Sequence, residues 1–263
     1  MIILKIGGGA ALNLQGIAAN MQSIDEPVIV VHGANALRDE LARRLNSNIQ
    51  KVTSVSGYSS VLSTEEVIDL QMLAYAGLKN KRLVEIMQQH GINAVGLSGL
   101  DGAVIRARRN PGIRTRENGK LKLIRDFSGK PDSTNTKLLD LLLENSFVPL
   151  LTVPILDENN HAVNSENDDI VALLNKHYKA DKIIHFIEAP GLLENADDPY
   201  SLIKQMSKIE LSSREEKMSG RIKRKLHAIN TLLKDGARQI IIADGRTENP
   251  LKDALSGKGT VIQ

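Results

Sequence analysis

Cysteine is absent from the 263 residues. That excludes disulfides, thiolate metal ligands and a cysteine nucleophile, and it accords with a cytoplasmic location. No apolar run approaches the length of a membrane span, and no charged segment leading into an apolar stretch opens the chain, so neither membrane insertion nor a secretory leader is expected. Low-complexity segments and short-period repeats are missing as well. Neither GxGxxG nor GxxxxGKS occurs, so the Rossmann fingerprint and the P-loop are unavailable as explanations of any phosphate site. What remains is an ordinary globular composition, 41% hydrophobic and 25% charged with a formal net charge of +3. The length suits one large α/β domain or two small lobes.

The first ten residues, MIILKIGGGA, carry the densest local signal. An apolar strand run delivers one basic residue, Lys5, and then breaks into Gly7, Gly8 and Gly9. Glycines let backbone N–H groups approach a ligand, and an apolar-periodic segment (Ala11, Leu12, Ile17, Met21) follows, so a helix N-terminus is expected to face the same point. The turn reads as an anion site or as a tight connection. A second buried strand, VIVVH, ends in His32, Gly33, Ala34 and Asn35 and feeds a helix over 37–45. Two such turns at the carboxyl ends of strands are what a parallel sheet needs to converge donors on one place. His32 reads either as a strand-end residue held by ring hydrogen bonds or as a direct participant.

Farther on, VTSVSGYSSVLS reads as a hairpin around Gly57, and Ser63 to Glu66 as a helix start. Helix is expected through Leu78 and again from Lys81 to His90. A strand at 94–97 leads to a glycine-rich turn at Ser98 to Gly102. Residues 106–130 hold nine Lys or Arg against Glu117 and Asp126 alone. The turn signals NPG and ENGK predict a projecting β-hairpin, either a solvated one or a field that draws an acidic partner. Nucleic acid is not expected there, since Phe127 is the only aromatic and no recognition motif accompanies it. A helix at 137–145, a strand at 147–153 and a small hairpin ending at Asn164 follow. NSENDD then opens an apolar helix, placing Asn164 and Asp168 together either as N-caps or as site residues. A buried strand at 183–187 precedes a loop through Pro190. A loop at Met218 to Gly220 leads to a helix at 221–233 with Lys223 and Lys225 in its first turns, where cations oppose the helix dipole unless an anion binds. Strands at 240–242 and at the end of the chain complete the alternation.

Two lysines, glycine amides and an aspartate, with no His or Cys metal cluster, suit stabilisation of a phosphoryl group in transfer. A carboxylate acceptor is anionic at neutral pH and needs no general base. In KIGG, HGAN, GLSGLDG, the Asn164 to Asp168 spacing and GRIKRK, the chain resembles the amino acid kinase family, in its acetylglutamate kinase-like branch, over essentially its whole length. GLKNKRLVEIMQQHGINAVGLSGLDG, LLDLLLE and ADGRTENPLKDALSGKGTVI are similar to carrier-dependent aminoadipate kinases of that branch.

The resemblance implies a three-layer αβα sandwich with a mostly parallel central sheet. It divides one kinase domain into an acyl-substrate lobe at 1–163, with the basic hairpin at 106–127, and a nucleotide lobe at 164–263. It implies catalytic roles for Lys5, Lys225 and Asp168, and substrate contacts from Gly8, Gly33, Ala34 and Asn164. Glu188, Gly220 and Lys223 fall in the nucleotide region. ATP is the implied cosubstrate, with Mg2+ brought in on it. The partners implied are an acidic LysW-type amino-group carrier protein, held by Arg106, Arg108, Arg109, Arg114, Arg116, Lys120 and Lys122, and a second copy of the chain in a homodimer. The activity implied is phosphorylation of the side-chain carboxylate of an amino-blocked aminoadipate- or glutamate-type acid. The alternatives are an N-acetylglutamate kinase on free substrate, or a non-catalytic regulatory homologue. The chain departs from the pattern at Ala34, where the family has glycine, and at Glu166 and Asn167, where it has aspartate and glycine. It also has Ser59, Ser60 and Val61 where members carry an arginine for the substrate carboxylate, and neither Ser nor Val replaces a bidentate guanidinium.

Overall fold

The computed structural model describes residues 1–55, 57, 59–117, 119–195, 198, 200–217 and 220–263, without side chains along 217–225. In chain order the elements are β1 (Ile2–Ile6), α1 (Leu14–Met21), β2 (Val28–His32), α2 (Asn35–Arg44), β3 (Lys51–Thr53), β4 (Ser59–Val61) and α3 (Glu65–Gln71). A π-helical stretch (Met72–Lys79) joins α3 to α4 (Asn80–Gln89). Then come β5 (Ala94–Ser98), β6 (Ile105–Arg109), β7 (Ile113–Glu117), β8 (Lys120–Ile124), β9 (Gly129–Thr134), α5 (Thr136–Glu144) and β10 (Val148–Thr152). The remainder is β11 (Ile155–Leu156), β12 (Ala162–Val163), α6 (Asn167–Tyr178), β13 (Lys182–Ile187), β14 (Gln205–Met206), α7 (Lys208–Lys217), α8 (Gly220–Lys234), β15 (Gln239–Asp244), α9 (Pro250–Leu255) and β16 (Thr260–Ile262).

Eight strands form one sheet in the order β14-β16-β15-β13-β1-β2-β10-β5. Every pairing in it is parallel except β15 with β16. The central strands are nearly continuous apolar runs because helices cover both faces, as parallel sheets require. Period-2 alternation sorts them into two cores. Ile3, Ile29, Val31, Ile183, Ile240 and Ile242 pack against Ile170, Val171 and Leu174 of α6 and Leu226, Ile229 and Leu232 of α8. Ile2, Leu4, Ile6, Val30, Ile184 and Phe186 face Ile17 of α1, Leu83 and Met87 of α4, and Leu251 of α9. The result is the expected αβα sandwich. Each fully buried Ile or Leu contributes roughly 1.5–3 kcal/mol. No described helix is long and apolar enough to cross a membrane.

Outside the main sheet, β12-β11-β6-β9 makes a four-stranded sheet, and β7-β8 and β3-β4 are separate antiparallel pairs. The basic stretch is therefore not one hairpin. β7 pairs with β8 on either side of the ENGK signal, whose Asn118 lies outside the described residues, whereas NPG lies between β6 and β7, because β6 pairs with β9. Val55 N–H donates to the Arg114 carbonyl at 2.8 Å, tying the β3-β4 pair to this arm. The two helices expected over 65–90 are one unbroken helical run, since the π stretch carries the backbone across Leu78 to Asn80 where an interruption is predicted. The helix after the first glycine turn also differs. It begins at Leu14, its Gly16 N–H is capped by the Asn13 side chain at 2.9 Å, and Asn13 N–H donates to the Gly245 carbonyl at 2.7 Å. Its N-terminus is thus engaged with the turn after β15. The helix start that stands over the glycine turn is that of α2.

Candidate active site

β1, β2, β13 and β15 all end on the same side of the sheet, and their turns interlock through backbone bonds. Gly33 N–H donates to Ile6 O at 2.9 Å, Gly7 N–H to Phe186 O at 3.0 Å, and Gly245 N–H to Ile187 O at 2.9 Å. Gly8 and Gly33 lie back to back. A Cβ on Gly8 would stand 2.7 Å from the Asn35 nitrogen and 3.0 Å from that of Ala34, and one on Gly33 would meet Gly8 Cα at 3.0 Å. Close approach, not turn conformation, is what demands glycine at both places. α2 begins at this contact with no side-chain hydrogen bond from its cap residue Ala34. Ala36 N–H donates to Gly8 O at 3.0 Å, and the N–H groups left at this helix start, without a side-chain cap and beside bare glycine backbone, are a setting for an anion.

Lys5 is the one polar residue of β1, on the face covered by α6, and Asp168 lies in the first turn of α6. Lys5 Nζ lies 2.7 Å from Asp168 Oδ1, with the side chains 15% and 26% exposed. Partial burial strengthens such a pair relative to one in open water. Asp168 is not an N-cap: Glu166 holds that position, without a side-chain cap bond. Asn164 does not cap either. Its Nδ2 donates to Ser63 Oγ at 3.2 Å, and its backbone is fixed between Phe127 and Gly129. Asn167, where the family pattern has glycine, donates to the His32 carbonyl at 3.1 Å and so ties α6 to the end of β2.

His32 is wholly buried. Asn80 Nδ2 donates to its Nε2 at 3.0 Å, its own Nδ1 lies 3.4 Å from Gly33 O, and burial pushes its pKa down to about 3. The ring is neutral and holds the strand end, which favours the positional reading over direct chemistry. Glu188 follows β13. Its carboxylate accepts from Ala11 N–H at 2.7 Å and lies against the Cα of Gly9, so it borders the glycine turn. Lys225, Lys223 and Gly220 fall on the first turns of α8, but their side chains lie outside the described residues.

From Asp168 a cleft of about 660 Å³ runs toward the basic arm, lined among others by Asn164, Asp126, Ser60 and Val61. The stretch that lacks the family arginine is thus part of the cleft wall. Of the cations of the arm, Arg109 is held in place. It lies 4.1 Å over the Phe127 ring, donates to the Asp126 carbonyl at 3.1 Å, and stands 3.8 Å from the fully buried carboxylate of Asp157. Arg106 donates to Asn160, Lys122 pairs with Glu117, and Arg108 approaches Asp132 at 3.9 Å. Arg114 and Arg116 are exposed and share one face of the β7-β8 pair with exposed Leu123 and Leu121, their cross-strand partners. Lys120 is exposed and pairs across the strands with Glu117.

One residue at this centre has no counterpart in the sequence reasoning. His185 of β13 sits beside Lys5 in register, and its Nδ1 lies 3.6 Å from Asp168 Oδ1. The available signal was a single ionisable residue inside the apolar run KIIHFI, matching Lys5 in MIILKI.

The model of the amino acid kinase family matches residues 1–244. LysW-aminoadipate kinase of Thermus thermophilus is 36% identical over the full length of both chains. The Deinococcus radiodurans enzyme of that name is 33% identical over all of this chain and 91% of its own. Acetylglutamate kinase of Methanopyrus kandleri is 27% identical over the full length of both. Among solved structures, Giardia carbamate kinase superposes with a TM-score of 0.68 at 15% identity, covering 99% of this chain and 97% of its own. A Streptococcus mutans protein, smu.665, does so with 0.75 at 18%, covering 100% and 98%. These structures share its fold.

Proposed function

Because the chain belongs to the amino acid kinase family, we propose that it transfers the γ-phosphoryl group of ATP to the side-chain carboxylate of a 2-aminoadipate- or glutamate-type acid. The amino group of that acid is blocked by an acidic carrier protein. The observation that carries this reading is the Lys5 to Asp168 pair, set at 2.7 Å beside the glycine contact and the uncapped start of α2.

A carboxylate oxygen attacks phosphorus while the bond from phosphorus to the β,γ-bridging oxygen breaks, leaving an acyl phosphate and ADP. Ionised at neutral pH, the acceptor needs no base. What the protein supplies is position and charge. Lys5 neutralises charge on the equatorial oxygens, Lys225 does the same from α8, and Asp168 orients the ammonium groups. Gly8 gives a backbone N–H group and Gly33 and Ala34 line the same contact, while Asn164 holds the α-substituents of the acceptor. The nucleotide enters as its magnesium complex, with the metal on the phosphates, and rests near Glu188, Gly220 and Lys223.

The basic arm receives the carrier. Its face of Arg114, Arg116, Leu121 and Leu123 suits a partner whose carboxylates surround an apolar spot. At the acyl end, Ser60 and Val61 leave the substrate to be held by hydroxyl and apolar contact in that part of the cleft. The test is incubation of the enzyme with MgATP and a carrier-aminoadipate conjugate, trapping acyl phosphate as hydroxamate. Product from the conjugate supports the reading. Product from N-acetylglutamate alone replaces it with a free-substrate kinase, and no product from either acceptor removes it.

A further inference from the structure

His185 stands where the fold calls for an apolar side chain. On its face of the sheet the neighbouring positions are Ile183 on the same strand and Ile240 and Ile242 on β15, all within the core. His185 is only 6% exposed. Burying an imidazole there costs solvation that a leucine would not. The register that pairs His185 with Lys5 sets the two side chains next to each other under α6. Asp168 Oδ1 is their common neighbour, 2.7 Å from Lys5 Nζ and 3.6 Å from His185 Nδ1.

A small cavity of about 30 Å³ adjoins the three groups, walled by Ile187, Leu192 and Ile242 and by Ala228 and Ile229 of α8. That volume holds one water. At 3.6 Å the ring nitrogen and the carboxylate stand just beyond direct hydrogen-bond range and too close for a water between them, so a small closure on substrate is what completes the bond. Lys5 from β1 and Asp168 from α6 are charged groups that face His185, and α8 also carries Lys225.

We propose that His185 is a positioning residue for phosphoryl transfer. With its Nδ1–H toward Asp168, the ring fixes the carboxylate that aims Lys5. This rests on the kinase reading above. It adds a fourth member to the set of Lys5, Lys225 and Asp168, one that acts through Asp168 and does not touch substrate.

Two substitutions in the full-length enzyme test it. His185→Leu keeps the packing and removes the donor, whereas His185→Asn restores an N–H close to the place of Nδ1. The expected result is a fall in kcat of about 10- to 100-fold for His185→Leu, the loss of one hydrogen bond to a charged group. KM for MgATP and for the acceptor should stay within about twofold, with most of kcat regained in His185→Asn. Equal losses in both variants, a loss confined to KM, or no loss would overturn the proposal. A second arm needs no turnover: in protein 15N-labelled at histidine, the His185 Nδ1 resonance should be of the protonated type and should move in Asp168→Asn. An unmoved resonance would overturn the link. If the wild-type enzyme phosphorylates neither acceptor, the kinase reading fails and the resonance alone decides whether His185 holds Asp168.

Discussion

Lys5 and Asp168, far apart in the sequence, meet at 2.7 Å where a sheet strand and a helix start face each other. A lysine at the end of a central strand can reach this point only because its neighbours Ile3 and Ile183 are packed under α6. Replacing Lys5 by alanine should therefore leave the fold intact and remove charge from the transferring group. The expected outcome is a fall in kcat of about 10²–10³-fold, with ATP affinity changed only a few-fold. Steady-state kinetics and calorimetric titration of the nucleotide measure the two separately. Asp168→Asn should act in the same direction, and the double variant should lose less than the product of the single losses, because one residue acts through the other.

Gly8→Ala tests the glycine contact. The added methyl would stand 2.7 Å from the Asn35 nitrogen and 3.0 Å from the Ala34 nitrogen, so it both pushes on α2 and covers its amides. A drop of 10-fold or more in kcat/KM is expected, about the effect of losing one hydrogen bond to a charged group. The accompanying fall in melting temperature should be small, of the order of a few degrees. A variant that is stable and fully active would mean that the amides at this contact do not receive the ligand.

How far the sequence leads is visible in individual elements. The central strands are legible because each is an apolar run buried on both faces, and the glycine turns mark their carboxyl ends. α7 escapes notice because its segment KIELSSREEK is mostly charged and Leu211 is its buried core residue. α9 is hidden by Pro250, which reads as a turn yet sits in its first turn, where a missing N–H costs nothing. The meeting of Lys5 and Asp168 follows from strand-end logic. His185 does not, because a histidine in an apolar strand carries no motif and acquires meaning only through its register with Lys5. The pairing of β6 with β9 is likewise beyond local turn chemistry, since NPG and ENGK are both good turns and tertiary pairing decides which one closes a hairpin.

His32 gives the protein an acid limit. With its pKa near 3 in the folded state and near 6.5 when unfolded, the unfolded chain binds the extra proton between those values. The contribution of His32 to stability is therefore constant above about pH 6.5 and declines as pH falls toward 3, with a slope of at most about 1.4 kcal/mol per pH unit. Denaturant unfolding from pH 7.5 to 5 should show that decline. In His32→Gln it should be shallower by up to one proton, whatever the substitution costs at pH 7.5. An unchanged slope would mean that other groups set the acid limit.

The cations of the basic arm divide by what they touch, and the division separates a structural effect from a recognition effect. Arg109 stacks on Phe127 and stands beside the buried Asp157 carboxylate. Arg109→Ala should lower stability by about 1–3 kcal/mol and show a reduced melting temperature with or without carrier. Arg114 and Arg116 are exposed on the outer face, so Arg114→Glu with Arg116→Glu should leave the melting temperature nearly unchanged. If an acidic carrier docks there, the same pair should raise KM for the carrier-linked acceptor by 10-fold or more at low salt. Two reversed charges at a rim act mainly on association and are screened as salt rises, so the difference from wild type should narrow between 0.05 and 0.5 M salt, taken as approximate bounds of the screening range. MgATP kinetics should be unaffected. An acceptor KM insensitive to both reversals and to salt would place the carrier elsewhere or favour a free small-molecule acceptor.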